Sequence, residues 1–304
     1  MKRLRGRAPM PGALFLPRNS DTNKGDYGRV LIVAGSDGMS GAAVLCARAA
    51  LRAGAGLVTV AVPAPIQPVV AACVPEAMTL GLPHRKGVIT AVAGNKLEKW
   101  LLAGGCDLIL AGPGLGSGAG VDAVVKRLLL QEKPLVLDAD ALNSLARTCG
   151  GSPLGLPAGR CIITPHPGEA SRLLRKTVAE VQGSRRASAE QLSGFCGGVA
   201  VLKGQHTVIA DCAGRSRTNT TGGPELAKGG SGDVLAGLLA GLWVQRGKQC
   251  GFSVETAFES AVAGVFAHGL CGQLAARELG EKCVMAGDLL YFLPQAFRAA
   301  ARKL

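Results

Sequence analysis

Short, predominantly apolar runs that stop at glycine, proline or a charged residue recur along this chain, with helical stretches between them. Val30-Leu31-Ile32-Val33-Ala34 stops at Gly35, and Gly56-Leu57-Val58-Thr59-Val60-Ala61-Val62 at Pro63. Leu108-Ile109-Leu110-Ala111 stops at Gly112, Pro134-Leu135-Val136-Leu137 at Asp138, and Cys161-Ile162-Ile163-Thr164 at Pro165. Val199-Ala200-Val201-Leu202 and Thr207-Val208-Ile209-Ala210 flank Lys203-Gly204-Gln205-His206. A strand without polar alternation is buried on both faces, as in a parallel sheet covered by helices. Helical spacing over Ala42–Ala53 and Val121–Leu130, and over most of the chain after Asp233, supplies those helices. The expectation is one α/β fold with a mostly parallel central sheet.

No composition break, internal repeat or low-complexity linker divides the chain, so we expect a basic tail over residues 1–20 and one domain over 21–304. The tail holds Lys2, Arg3, Arg5, Arg7 and Arg18 and no acid, within a net charge of +13. Such a charge suits polyanions, nucleotides among them. No nucleic-acid-binding motif accompanies it, so nucleic acid is not an expected partner. No uninterrupted apolar run reaches a membrane span's length of about 18 residues. The ten cysteines form no CxxC pair, which argues against zinc and fits a reducing, cytoplasmic setting in which several are small core residues.

Five segments carry candidate chemistry. Gly229-Gly230-Ser231-Gly232-Asp233 opens a long helix. Glycines let the backbone approach a ligand, and the unpaired first amides of a helix bind anions. Asp233, in the first helical turn, either takes the proton of a hydroxyl attacking a phosphoryl group or merely favours the helix dipole. Thr164-Pro165-His166-Pro167-Gly168-Glu169 holds His166 at the carboxyl edge of the sheet, where ligands bind in open α/β folds. Gly35-Ser36-Asp37-Gly38-Met39-Ser40-Gly41-Ala42-Ala43 is another strand-to-helix loop, but not a Walker A loop, since no Lys-Ser/Thr follows its glycines. Gly114, Gly116 and Ala119 spell a loose dinucleotide signal after a strand. Asp138 and Asp140 point to opposite sides of the chain; one would meet a hydroxyl or metal-bound water and the other cap the next helix, and spacing does not choose. Four of these segments lie at strand-to-helix junctions, which places them on one edge of one sheet.

Taken together, these segments resemble the NAD(P)H-hydrate dehydratase family of the ribokinase-like superfamily. The resemblance runs from about Asn23 to the carboxyl terminus, through Lys24-Gly25-Asp26-Tyr27-Gly28, Arg52-Ala53-Gly54-Ala55-Gly56, Gly112-Pro113-Gly114-Leu115-Gly116, Asp138-Ala139-Asp140-Ala141-Leu142-Asn143, Pro165-His166-Pro167-Gly168-Glu169, Lys203-Gly204 and Gly229–Asp233. It implies a three-layer α/β/α fold. It also implies a reaction in which ADP, or ATP in eukaryotic members, phosphorylates the ring hydroxyl of S-NADHX or S-NADPHX, after which phosphate leaves and the double bond returns. Carried over by position, Asp233 is the base and contacts the hydrate. Ala42, Gly116 and His166 line the hydrate pocket. Lys203, Gly204, Gln205, His206, Thr207, Gly229, Gly230, Ser231 and Gly232 hold the nucleotide, with Mg²⁺ serving phosphoryl transfer. A homotetramer and an NAD(P)H-hydrate epimerase as functional partner are further implications; the epimerase domain fused to many relatives is expected to be absent here. The chain departs from the family at Asn23, where histidine is usual, and at Gly223-Pro224-Glu225-Leu226-Ala227-Lys228, where Asn-Pro-Gly-x-Ala-Thr is common. Lys228 would then help hold phosphate, and Glu225 would be paired or exposed. Rival readings are a ribokinase-like vitamin or sugar-alcohol kinase, a Rossmann oxidoreductase using Gly114–Ala119 with Asp138, and a nucleic-acid-binding protein suggested by charge alone.

Overall fold

The structure, a computed structural model, describes residues 12–15, 17–18 and 20–302. Its first half runs β1 (Arg29–Val33), α1 (Ser40–Ala53), β2 (Leu57–Pro63), α2 (Gln67–Cys73), β3 (Met78–Leu82), β4 (His84–Arg85), β5 (Val88–Ile89), α3 (Ala91–Leu102), β6 (Leu108–Ala111), α4 (Ala119–Leu129), β7 (Leu135–Leu137) and α5 (Asp140–Thr148). The second half runs β8 (Cys161–Ile163), α6 (Pro167–Leu174), α7 (Val178–Gly183), α8 (Arg185–Cys196), β9 (Val199–Leu202), β10 (Val208–Asp211), β11 (Ser216–Thr218), α9 (Ser231–Cys250), α10 (Val254–Leu279) and α11 (Ala286–Ala301).

The sheet order is β11-β10-β9-β8-β7-β6-β1-β2-β3. All pairs are parallel except β9–β10 and β10–β11. The expected strands are present with ends shifted by a residue or so. β3, the β4–β5 hairpin and β11 were not expected. β3 and β11 are edge strands whose residues are mostly half-buried or exposed, so they lack the apolar signature of the interior strands.

Alternate residues of each interior strand feed opposite layers. From β1, Leu31 and Val33 pack with α3, α4, α5, α6 and α8, whereas Val30 and Ile32 pack with α1, α9 and α10. The α9 helix has almost no polar face, because α1, α10 and α11 enclose the side turned from the sheet. Close approach of α1 and α9 requires glycine: a Cβ on Gly237 would lie 2.2 Å from the Cys46 carbonyl oxygen.

The stretch expected to be a tail is in part anchored. Phe15 is buried with its ring centroid 4.9 Å from that of Phe297, and Arg18 stacks its guanidinium 3.6 Å over the Tyr27 ring. Five of the ten cysteines (Cys46, Cys106, Cys161, Cys196 and Cys271) are core residues, and all ten are free thiols. No helix among the described residues is long and apolar enough to cross a membrane.

Candidate active site

Because β1, β6, β7, β8 and β9 are parallel, the loops that follow them share one edge. The amino terminus of α9 lies on that edge as well, with Gly232 beside the loops after β7 and β9. Lys203, just past β9, is the hub. Its Nζ lies 2.6 Å from Asp138 Oδ1 at the end of β7 and 3.8 Å from Glu169 Oε2 in the first turn of α6. Asp138 is 1% exposed, so this ion pair is enclosed. Burial alone would lower the Lys203 pKa, but Asp138 and Glu169 outweigh it and the pKa is raised. Gly232 faces this pair, since a Cβ there would sit 3.5 Å from Lys203 Nζ and 3.9 Å from Asp138 Oδ2.

Gly230 caps α9 with φ 87°, a conformation that favours glycine. Helix geometry leaves the amides of Gly232 and Asp233 without intrahelical acceptors, aimed at the sheet edge. Asp233 is the third residue of α9. Burial, then the Asp138 charge, push its pKa up to about 6. A carboxylate poised near neutrality and next to an anion site suits proton abstraction.

His166 caps α6. Its Nδ1 accepts the Gly168 amide at 3.0 Å, and its Nε2 lies 3.3 Å from Glu169 Oε1. Glu169 Oε2 accepts the His166 amide at 2.8 Å, which completes a capping box. Burial pushes Glu169 up to about 7, while burial and then Lys203 lower the His166 pKa. Glu169 was quoted in the sequence motif without a role; the structure makes it the link between His166 and Lys203.

The two acids left open by spacing are now separated. Asp138 holds Lys203, whereas Asp140 Oδ2 accepts the Gly116 amide at 2.9 Å. Neither caps α5 through its side chain. Asp140 also accepts Asn143 Nδ2 at 3.2 Å, and Asn143 Oδ1 accepts Arg172 Nε at 3.1 Å, so the loop after β6 is tied to α6 beside His166. With Asp138 committed to Lys203, the Rossmann reading loses its ribose-binding acid. Between the two acids, Ala139 adopts φ 50° and ψ −116°, and the Ala141 amide bonds the Asp138 carbonyl. This is a tight turn that prefers glycine at its second position. Ala139→Gly is expected to stabilise the protein by about 1 kcal/mol, strain relief exceeding the entropy glycine adds to the unfolded chain. A thermal midpoint unchanged or lowered would contradict that strain.

Ala42 lies in the first turn of α1 and packs against the loop after β6, where a Cβ on Gly114 would fall 3.0 Å from its own. Ser36 Oγ donates to the Gly114 carbonyl at 2.8 Å and joins the two loops. The β4–β5 hairpin adds to this wall, as the Asp37 amide bonds the Gly87 carbonyl at 3.0 Å. Gln205 and His206 sit exposed in the β9–β10 turn, His206 at φ 54°. Thr207 Oγ1 closes the turn on the Gly204 carbonyl. Arg185 Nη2 donates to the Leu202 and Lys203 carbonyls at 2.9 and 3.2 Å and braces the strand end.

The departures have defined surroundings. Lys228 donates to the Lys282 carbonyl. Glu225 is neither paired nor exposed; it is buried against Gly223 and Gly272, and its Oε1 has no hydrogen-bond partner. Asn23 caps the turn Lys24–Tyr27, accepting the Gly25 amide while Asp26 accepts its own.

A mostly parallel α/β sheet and a late glycine turn that opens a buried helix at its carboxyl edge, with Asp233 in the first turn, place the chain in the ribokinase-like class of folds. Comparison with known proteins makes this specific. The family model of NAD(P)H-hydrate dehydratases matches residues 30–295, and the chain belongs to that family. It is 43% identical over 286 residues to the bifunctional NAD(P)H-hydrate repair enzyme Nnr of Moorella thermoacetica, covering 92% of this chain and 51% of that protein. The chain thus spans about half the length of the curated relatives it matches. The ADP/ATP-dependent NAD(P)H-hydrate dehydratase of Bacillus subtilis, co-crystallised with ATP and Mg²⁺, superposes with TM-score 0.75 at 30% identity, covering 95% of this chain and 96% of that one. A ribokinase-like protein of Enterococcus faecalis superposes with TM-score 0.77 at 26% identity, covering 95% and 94%.

Proposed function

We propose that this chain dehydrates S-NADHX and S-NADPHX at the expense of ADP, with ATP as the alternative donor. The observation that carries the reading is Asp233, held near pKa 6 by burial beside the free amides of the α9 turn and the Lys203–Asp138 pair. In the first step the ring hydroxyl gives its proton to Asp233, and its oxygen takes the terminal phosphoryl of ADP, releasing AMP. In the second step the carbon–oxygen bond breaks, phosphate leaves with the bonding electrons, and a neighbouring ring carbon loses a proton as the double bond forms. Hydroxide is a poor leaving group and phosphate a good one, which is why the nucleotide is consumed.

Ala42, Gly116 and His166 form the hydrate wall in this reading. Lys203 to Thr207 and Gly229 to Gly232 hold the nucleotide, with Lys203 placed to neutralise phosphate charge. Among the described residues no three His, Cys, Asp or Glu side chains converge as a metal cage. In this reading Mg²⁺ arrives with the nucleotide and is held mostly by phosphate and water. Asp138, whose Oδ2 faces Gly232 while Oδ1 holds Lys203, is the carboxylate that would reach it, and the ion would supply charge neutralisation in phosphoryl transfer. A homotetramer, a cytoplasmic setting and an epimerase as functional partner complete the proposal, supported by the family resemblance and the free thiols.

The test is recovery of dihydronicotinamide absorbance from hydrated NADH with Mg²⁺ and ADP, ATP or no nucleotide. Recovery with AMP and phosphate released in step supports the reading and identifies the donor. A folded protein that restores nothing with either nucleotide, yet phosphorylates a vitamin or sugar alcohol stably, would establish the kinase alternative.

A further inference from the structure

His268 lies in the middle of α10, 8% exposed, and no reading of the sequence connects it to the site. The other buried polar residues of α10, Thr256 and Ser260, are used within its amino-terminal turns. The imidazole instead crosses to α9, with Nε2 2.9 Å from the Ser231 carbonyl oxygen and 3.2 Å from Ser231 Oγ. A carbonyl oxygen only accepts, so Nε2 carries the hydrogen and the tautomer is fixed. Burial drives the ring pKa down to about 4, so it stays neutral across the working range. The single N–H is shared between two acceptors on one residue.

Ser231 is thereby constrained at nearly every polar atom. Its amide bonds the Lys228 carbonyl at 3.4 Å, its carbonyl accepts from His268, and its hydroxyl oxygen accepts from the same N–H. Only the hydroxyl hydrogen is left to donate. Ser231 is the first residue of α9, between Gly230 and Gly232, so that hydrogen belongs to the set of donors around the anion site.

We propose that His268 is a positioning residue for phosphoryl transfer: by donating to both oxygens of Ser231 it locks the glycine turn and directs the Ser231 hydroxyl hydrogen at the transferring phosphoryl group. Apart from the Arg246–Glu259 ion pair toward the other end of α9, the α9–α10 contact is built from small and apolar side chains, with Leu239 against Gly264, so packing alone gives no reason for an imidazole there. A donor fixed before the reaction needs no reorganisation as charge shifts onto the phosphoryl oxygens. The inference rests on the dehydratase reading, in which phosphate sits at the start of α9.

The test compares His268→Gln, which keeps an N–H at similar reach, with His268→Phe, which keeps ring volume without a donor. Ser231→Ala and the Ser231→Ala/His268→Phe pair complete the set. Turnover, KM for the nucleotide and thermal midpoint are measured for each. His268→Phe is expected to lower kcat on the order of 10- to 100-fold with KM changed less than about threefold, and His268→Gln to restore most of it. Ser231→Ala is expected to lower kcat similarly, and His268→Phe to cost markedly less in that background, because the hydroxyl it orients is gone. Equal loss in Gln and Phe, an additive double variant, or a lowered midpoint with kcat intact would each overturn the proposal. Should His268→Phe not fold, Ser231→Ala with wild-type kcat overturns it alone. Wild-type turnover in the same assay reports separately on the dehydratase reading, and a wild-type protein inert with every nucleotide overturns both.

Discussion

Asp233→Asn is expected to lower kcat by roughly 10³-fold while nucleotide affinity stays within a few-fold, because asparagine keeps the shape and polarity of the site but cannot take a proton. The α9 amides and Lys203, which bind phosphate in this scheme, are untouched. The pH dependence checks the assignment. With a folded pKa of about 6, Asp233 is ionised above pH 6, and kcat/KM is expected to fall about tenfold per unit below it. The variant should lack that limb. Stability should move the other way. A carboxyl whose pKa is raised by folding stabilises the fold fully below its unfolded pKa, and that contribution is lost as pH rises through the folded value. Asp233→Asn should therefore unfold at a higher temperature than wild type at pH 8, with the gap closing in acid. Near-wild-type kcat, or an acid limb retained in the variant, would remove Asp233 from the proton step.

Lys203→Met is expected to lower the thermal midpoint on the order of 10 °C and to weaken nucleotide binding at least about tenfold. The reason is less the lost attraction than the charge left behind. Asp138 is 1% exposed, and a buried carboxylate without its partner costs about 3–5 kcal/mol. Pairing Lys203→Met with Asp138→Asn should return most of the stability but not the nucleotide affinity. That split separates the fold's need for charge balance from the ligand's need for a cation. A Lys203→Met protein as stable as wild type would show that Asp138 is satisfied by something other than Lys203.

Lys203 and Asp138 stand at strand ends and Asp233 at a helix start, and strand ends were the most legible part of the sequence. Interior strands announce themselves because burial on both faces leaves few polar positions, Thr59 and Asp211 among them. Edge strands do not: Met78–Leu82 and Ser216–Thr218 pair on one side only and tolerate polar side chains. The β4–β5 hairpin, which bonds the loop after β1, was missed because two-residue strands carry no periodicity. The surroundings of the charged departures were not legible for a related reason. Whether Lys228 meets phosphate or the Lys282 carbonyl depends on where residue 282 lies, fifty-four positions away.

Local sequence determined the parallel sheet, the loops gathered on its carboxyl edge, the glycine turn that exposes helix amides, and Asp233 in the first turn of α9. Each depends on neighbouring residues: apolar runs, glycine conformations and helix-start chemistry. Only the tertiary structure decided what those groups do to one another. It gave Asp138 to Lys203 and Asp140 to Gly116, set Glu169 between His166 and Lys203, and brought His268 against Ser231. These are electrostatic and hydrogen-bond relations across tens of residues, strong because the interior is dry, and a linear pattern carries no distance between such groups.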